Sequence, residues 1–319
     1  MCDHAEQREV TLLEILWDRM LLTWERQGEG AVITRVRAGS SSVVLPHAIG
    51  GLPVVALGDH AFAPHSDDGA PDHRAIRSIT LPPTLRRVDN YAFYNCSGLE
   101  KLTLWDGAAD WGGSCLMNCR RLSRLEITGA RGDGAVLYYF AQELSCELDV
   151  TVHFPEGGDL RLIFPEYVES YELNDPAHHF DFHLYGPGFP YHEAFHGKRL
   201  DLGLFDDAWE GMLRREYDPD CALRLAFYRL RFPRGLSAAA SARYTDYVHA
   251  YRRDALCWLL NNPDAGELCW LLSRFPPCRE ELSAALELAR QRGRHEAVAL
   301  LLEDQHRRFP PSPRKRFEL

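Results

Sequence analysis

The feature that most constrains this chain is self-similarity at a period of 23 residues. Ile76-Arg-Ser-Ile79-Thr-Leu81 overlays Leu99-Glu-Lys-Leu102-Thr-Leu104 and Leu122-Ser-Arg-Leu125-Glu-Ile127, with an apolar side chain at every marked position. A period between about 20 and 29 with the pattern L-x-x-L-x-L means that each unit supplies one short strand. Stacking the strands in parallel buries a ladder of aliphatic side chains that no unit could bury alone. A further step of 23 reaches Ser145, Leu148 and Val150, so the last two columns continue and the first fails. Phe93 and Leu116 share a phase, as do Cys96 and Cys119, each of which follows an asparagine; these cysteines read as core.

Strand pleating then nominates a surface. If the columns at 76, 79, 81 and their repeats point inward, the residues between them point outward. That places Ser78, Thr80, Lys101, Thr103, Arg124, Glu126, Glu147 and Asp149 on an exposed sheet face, where hydroxyls lead into mixed charge. Such a strip suits a protein partner better than an apolar ligand, the alternative being a merely solvated face.

Ser78-Ile-Thr-Leu-Pro-Pro-Thr-Leu-Arg-Arg-Val-Asp-Asn-Tyr-Ala-Phe-Tyr-Asn-Cys-Ser-Gly-Leu99 resembles the unit of the BspA-like (treponemal-type) leucine-rich repeats. Val43-Val-Leu-Pro-His-Ala-Ile-Gly-Gly-Leu-Pro-Val-Val-Ala-Leu-Gly-Asp-His-Ala-Phe62 is similar to an opening repeat, and Leu21 to Val36 to a capping strand pair. The resemblance spans residues 20–150 and implies a stacked β-solenoid; the family is defined by how its chain stacks and not by a reaction.

The remaining pattern divides the chain. Residues 1–20 read as an N-terminal helix, and 21–165 as the leucine-rich-repeat solenoid with capping hairpins, interrupted by a surface loop at Pro64–Arg74. Leu148–Phe154 alternates with period two, Glu156-Gly-Gly-Asp159 is turn chemistry, and Leu160–Phe164 returns, which predicts a hairpin closing the stack. Residues 166–216 form a connector rich in His, Phe, Tyr, Gly and Pro, with one strand at Phe180–Leu184.

Residues 217–306 carry six helical patterns: Cys221–Arg231, Ser237–Tyr251, Arg253–Asn261, Ala265–Phe275, Glu280–Arg292 and Glu296–His306. At an offset of 30, Ala255-Leu256 meets Ala285-Leu286, Leu259 meets Ala289, and Leu271 meets Leu301, a likeness to ankyrin helix pairs without the Thr-Pro-Leu-His signature. Residues 307–319 read as a disordered tail. The expected fold class is α+β: a short leucine-rich-repeat β-solenoid, a β-containing connector and an all-α helical-hairpin (ankyrin-like) domain.

Catalytic signals are few. His192-Glu193-Ala194-Phe195-His196 is an H-E-x-x-H string, which on a helix sets two imidazoles one turn apart on a zinc ion with the Glu beside its water. Glu210 or Glu216 would be the third ligand of such a zinc-dependent hydrolase. Against it, Pro187 and Pro190 precede the string and Gly197 follows, leaving barely one helical turn. His178, His179 and His183 cluster in the same connector as half-buried packing groups or an opportunistic metal site. No phosphate loop or nucleophile elbow is present, and no cofactor is implied.

The net charge of -10 repels a phosphate backbone, so no nucleic acid is expected as partner. No stretch approaches the roughly 20 apolar residues of a membrane span. The polar start lacks a secretory pattern, and nine scattered cysteines fit reduced thiols in a cytoplasm. The expectation is a cytoplasmic, non-enzymatic protein-interaction scaffold or adaptor. A structural subunit of a larger assembly is a third possibility.

Overall fold

In a computed structural model that describes residues 12–64, 75–108, 110–129, 135–174, 179–262 and 264–310, the chain divides into two units, Met1–Tyr217 and Asp218–Leu319. The first unit opens with β1 (Leu13–Trp17), β2 (Met20–Gln27), β3 (Gly30–Ala38), β4 (Ser42–Val44), β5 (Ala48–Ile49) and β6 (Leu52–Leu57). The repeat region supplies β7 (Ser78–Thr80), β8 (Arg87–Val88), β9 (Lys101–Trp105), β10 (Asp110–Trp111) and β11 (Arg124–Thr128), then helix α1 (Ala135–Glu143), β12 (Leu148–His153) and β13 (Leu160–Phe164). After these come β14 (Val168–Asn174), β15 (His179–Tyr185), α2 (Phe189–His192), β16 (Phe195–His196), β17 (Arg199–Leu200) and α3 (Leu202–Leu213).

The apolar columns are the core. Ile79, Leu102 and Leu125 lie side by side across parallel β7, β9 and β11, and all three are buried, as are Ile76, Leu99, Leu122 and the Leu81, Leu104, Ile127 column. Strand order in this sheet is β13-β12-β11-β9-β7-β4. A second sheet, β1-β2-β3-β6-β8-β10, carries the other wall of the solenoid. Between them a ring ladder runs from Phe62 to Phe93 (5.2 Å), Trp111 (6.2 Å) and Phe140 (4.9 Å).

Sharp corners between coils require left-handed backbone, and here non-glycine residues supply it: His60, Tyr91, Asn95, Ser114 and Asn118 all have positive φ. The asparagines offset part of that cost by bonding to each other, Asn118 Nδ2 donating to Asn95 Oδ1 at 2.7 Å. The cysteine that follows each one donates its thiol to the preceding coil, Cys96 to the Phe62 carbonyl and Cys119 to that of Phe93.

The step of 23 holds from Ser78 through Lys101 to Arg124 and then fails, because Arg124 pairs with Asp149 and Leu125 with Val150, a step of 25. Leu148 and Val150 are both buried, but Val150 continues the column of Leu125 rather than that of Ile127. The cause is α1. A helix advances only about 1.5 Å per residue, so crossing the stack on a helix takes more residues than on an extended corner. Asp106 receives its Val136 amide, and Glu143 accepts the amides of Cys115 and Leu116 from the neighbouring coil.

The expected closing hairpin is present, with β12 antiparallel to β13 and glycines 157 and 158 at positive φ in the turn. The strand expected at Phe180–Leu184 lies within β15, which pairs with β14. The N-terminal helix read over residues 1–20 is corrected: Leu13–Trp17 is a strand joined to β2 by the two-residue turn Asp18-Arg19, and residues 1–11 lie outside the described residues. Leu13, Ile15 and Trp17 alternate, and pairing with β2 satisfies the backbone across the hairpin, a tertiary gain that overrides local helix propensity. Of the loop read at Pro64–Arg74, residues 65–74 lie outside the described residues.

The second unit holds α4 (Pro219–Arg231), α5 (Ala238–Ala250), α6 (Arg252–Asn261), α7 (Ala265–Arg274), α8 (Arg279–Gln291) and α9 (His295–Arg308). Side chains of Asp218, Ser237 and Asp264 accept backbone amides at the starts of α4, α5 and α7, as N-caps do. Helices α8 and α9 form a hairpin, and successive hairpins stack with α6 against α8 and α7 against α9. This stacking is what the offset of 30 encodes, since Ala255, Ala285, Leu259, Ala289, Leu271 and Leu301 are all buried. The disordered tail read from residue 307 begins too early: Arg307 and Arg308 belong to α9 and both bond to buried Asp304, while residues 311–319 lie outside the described residues. Among the described residues no helix is long and apolar enough to cross a membrane.

Candidate functional site

The outward face of the repeat sheet is organised in columns across the strands. The first runs Ser42, Ser78, Lys101, Arg124, Asp149, and the second Val44, Thr80, Thr103, Glu126, Thr151. Seven of the eight residues nominated from the sequence therefore lie where pleating puts them. Glu147 does not: it precedes β12, and the longer step gives its place in the first column to Asp149 and that of Asp149 in the second to Thr151.

At one end the face is neutral, Ser78 Oγ donating to Ser42 Oγ at 3.0 Å. Toward the other end charges pair along and across strands. Lys101 Nζ bonds to Glu126, Thr103 Oγ1 donates to the same carboxylate at 3.5 Å, and His153 Nε2 stands 3.5 Å from it. The Lys101 ammonium holds the Glu126 carboxyl below the ordinary carboxylate range, with His153 acting in the same direction against partial burial. Arg161 clamps Asp149 through two bonds of 2.8 and 2.7 Å, and Arg124 lies 3.6 Å from Glu100. The charges of this face thus pair with one another.

A third column, Trp105, Thr128 and His153, was missed by the sequence reading although its signal was present. Residues 101, 103 and 105 share one parity, so Trp105 follows Lys101 and Thr103 onto the outer face. Trp105 also borders an open cleft of about 720 Å³, walled by Val44, Pro46, Pro82 and Pro83 and, from β1, by Leu16 and Trp17. The sequence could not announce this cleft, because its walls come from four separated segments.

The H-E-x-x-H string does not form a metal site. α2 ends at His192, Glu193 is its C-cap, and the chain enters β16 at Phe195, so the two histidines do not share a helix face. His192 is 1% exposed, its Nδ1 3.0 Å from the Ala141 carbonyl and its Nε2 3.1 Å from that of Pro165. Burial lowers its pKa and outweighs the two carbonyls, which favour the charged ring. His196 is exposed and pairs with Asp201 at 3.1 Å. Glu210 pairs with Arg214, and Glu216 lies beyond α3. His178 and the side chain of His179 lie outside the described residues, and His183 is exposed. No group of His, Cys, Asp and Glu suited to a metal occurs among the described residues.

The cysteines of the repeat region serve the core. Burial pushes the Cys115 and Cys119 thiols up to about 12 and that of Cys146 to about 11, which leaves them protonated donors rather than nucleophiles.

Residues 71–137 match the family model described as BspA type Leucine rich repeat region (6 copies). No curated protein matches the chain. Among solved structures, a leucine rich cell surface protein from Faecalibacterium prausnitzii A2-165 is 22% identical over 46% of this chain and 37% of its own, with a TM-score of 0.29. The T. pallidum Leucine Rich Repeat protein is 21% identical over 33% of this chain and 68% of its own, with a TM-score of 0.23. The match thus spans little more than a third of the first of these structures. The likeness to a BspA-type leucine-rich repeat region thus rests on residues 71–137, only part of the chain.

Proposed function

We propose that the chain is a non-enzymatic protein-interaction scaffold that receives a partner protein on the outer face of its repeat sheet. One observation carries this reading: prepaired charged columns centred on Lys101, Glu126 and Asp149 adjoin an apolar margin formed by Trp105 and Val44 beside the cleft. An aromatic anchor next to a fixed polar field is the anatomy of protein interfaces, in which apolar burial supplies affinity and charge placement supplies selectivity.

The stacked helical hairpins of the second unit are read as a further, ankyrin-like binding module, on the strength of the offset of 30. The net charge of -10 supports a protein partner over nucleic acid, and scattered thiols support a cytoplasmic location.

Affinity capture with the wild type, Trp105→Ala and the double variant Lys101→Glu, Arg124→Glu tests the reading. Partners retained by the wild type are expected to bind Trp105→Ala about tenfold more weakly or worse, as truncation of an aromatic anchor does. The double variant should lose partners that read the charges. Identical partner lists for all three proteins would remove this face from consideration.

A further inference from the structure

The first strand carries an observation that the sheet face does not absorb. β1 stands at the end of its sheet and pairs only with β2, so one backbone edge is open among the described residues. Edges of this kind are ordinarily blunted by lysine, proline or a bulge, because unpaired amides and carbonyls template another strand. β1 reads Leu-Glu-Ile-Leu-Trp, with no lysine, proline or bulge and with Glu14, 3.8 Å from Arg37, as its one charged side chain. It is also unusually apolar for a surface: Leu12 is 57% exposed, Leu13 42%, Leu16 75% and Trp17 40%.

The hairpin fixes which groups face outward. Trp17 and Met20 close a two-residue turn whose residues Asp18 and Arg19 both have positive φ, so this pair exchanges backbone bonds. Alternation makes Ile15 with Leu22 and Leu13 with Trp24 bonded pairs as well. The amides and carbonyls of Glu14 and Leu16 therefore point away from β2 to the open edge.

We propose that this edge is a self-association surface, on which β1 of a second copy of this chain pairs antiparallel about a twofold axis through Ile15. Three registers bring outward-facing groups together. Centring on Glu14 sets two glutamates opposite each other, and centring on Leu16 sets Glu14 opposite Asp18 of the second copy. Only the register centred on Ile15 avoids opposed carboxylates, placing Glu14 opposite Leu16 at both ends, each pair exchanging two backbone hydrogen bonds.

The same register continues the core face of the sheet. Leu13, Ile15 and Trp17 share a face with Met20, Leu22 and Trp24, which are buried. Across the twofold, Ile15 meets Ile15 of the second copy and Leu13 meets its Trp17, so an apolar row runs unbroken from one chain into the other. Identical patches that complement themselves in this way are what an isologous dimer requires. This goes beyond the sheet-face reading: it rests on the backbone edge of β1, although Leu16 and Trp17 also border the cleft beside Trp105.

The test is light scattering on the full chain over a concentration series, with Leu16→Glu and Leu16→Lys compared. Both remove the same exposed side chain, and far-UV circular dichroism checks the fold. Leu16→Glu puts two like-charge pairs across the edge and is expected to raise the dimer dissociation constant about tenfold or more, whereas Leu16→Lys faces Glu14 and weakens the dimer much less.

Ile15→Cys gives a second, positional readout. The two central positions form a non-bonded pair with Cα atoms about 4.5 Å apart, within disulfide range, so mild oxidation should link position 15 to position 15, as peptide mapping reads out. A wild type that stays monomeric at its highest workable concentration overturns the proposal. Equal effects of the two Leu16 variants, or cross-linking that bypasses position 15, overturn it as well.

Discussion

The two units solve the same problem, burying polar groups beside apolar ones, by different means. In the first unit the partners are mostly backbone: thiols of Cys96 and Cys119 reach carbonyls of the preceding coil, and His192, beyond the solenoid, lies between the carbonyls of Ala141 and Pro165. In the helical unit carboxylates join the carbonyls as partners, Arg231 with buried Glu267 at 3.2 Å and Arg308 with buried Asp304 at 2.8 Å, while buried Arg229 reaches the Arg234 carbonyl just past the end of its helix. Coils stacked in register present a carbonyl at the same place every turn, so one small residue type can serve repeatedly. Helices satisfy their own backbone internally, which leaves buried charges to be matched one pair at a time. One repeat is therefore visible at a glance in the sequence and the other only at scattered positions.

That contrast can be broken most forcefully at Phe93, fully buried between Phe62 and Trp111. Phe93→Ala is expected to cost about 3–5 kcal/mol, since truncating a core aromatic removes its transfer energy and leaves a cavity. Because contacts pass from coil to coil, the near-UV signal of the solenoid should be lost at lower urea while the helical far-UV signal persists. A single coincident transition for both signals would show that the units do not unfold independently.

The matched-pair logic of the helical unit is probed at Asp304, 2% exposed and bonded to Arg308. Asp304→Asn is expected to cost about 1–3 kcal/mol, the penalty for leaving a buried hydrogen-bonded group under-satisfied. Urea denaturation followed by far-UV circular dichroism measures it, and no change would show that the ion pair contributes nothing net.

The smallest effect sharpens the comparison through pH. Burial holds the His192 pKa below its ordinary 6.5. Above that value both folded and unfolded chains carry a neutral ring, and this stability is fully present. As pH falls below it toward the depressed folded value, the unfolded chain takes up a proton that the folded chain does not, and stability drops. His192→Gln should flatten that part of the stability profile of the first unit, and an unchanged profile would assign the acid sensitivity elsewhere.

Much of this was legible in the residues. The aliphatic columns, the closing hairpin at Leu148–Phe164 and all six helices of the second unit follow from periodicity, because a buried stripe imposes its spacing on the chain. The misplacement of Glu147 and the wrong step at Val150 share one origin: α1 replaces an extended corner, and a count of 23 carried across it cannot know the rise per residue. The strand at Leu13–Trp17 was read as helix because its short apolar run supports either structure until β2 offers it a partner.

What the sequence alone determined is the set of side chains that must be buried together, and hence the solenoid, its outer face and the helical hairpins. Only the tertiary structure decided which columns align after α1, that Leu16 and Trp17 join Trp105 at one cleft, and that the first strand is left with an open edge. The physical reason is range. Periodicity records the environment of each residue along its own strand or helix, whereas clefts, registers and edges arise where segments distant in the chain meet.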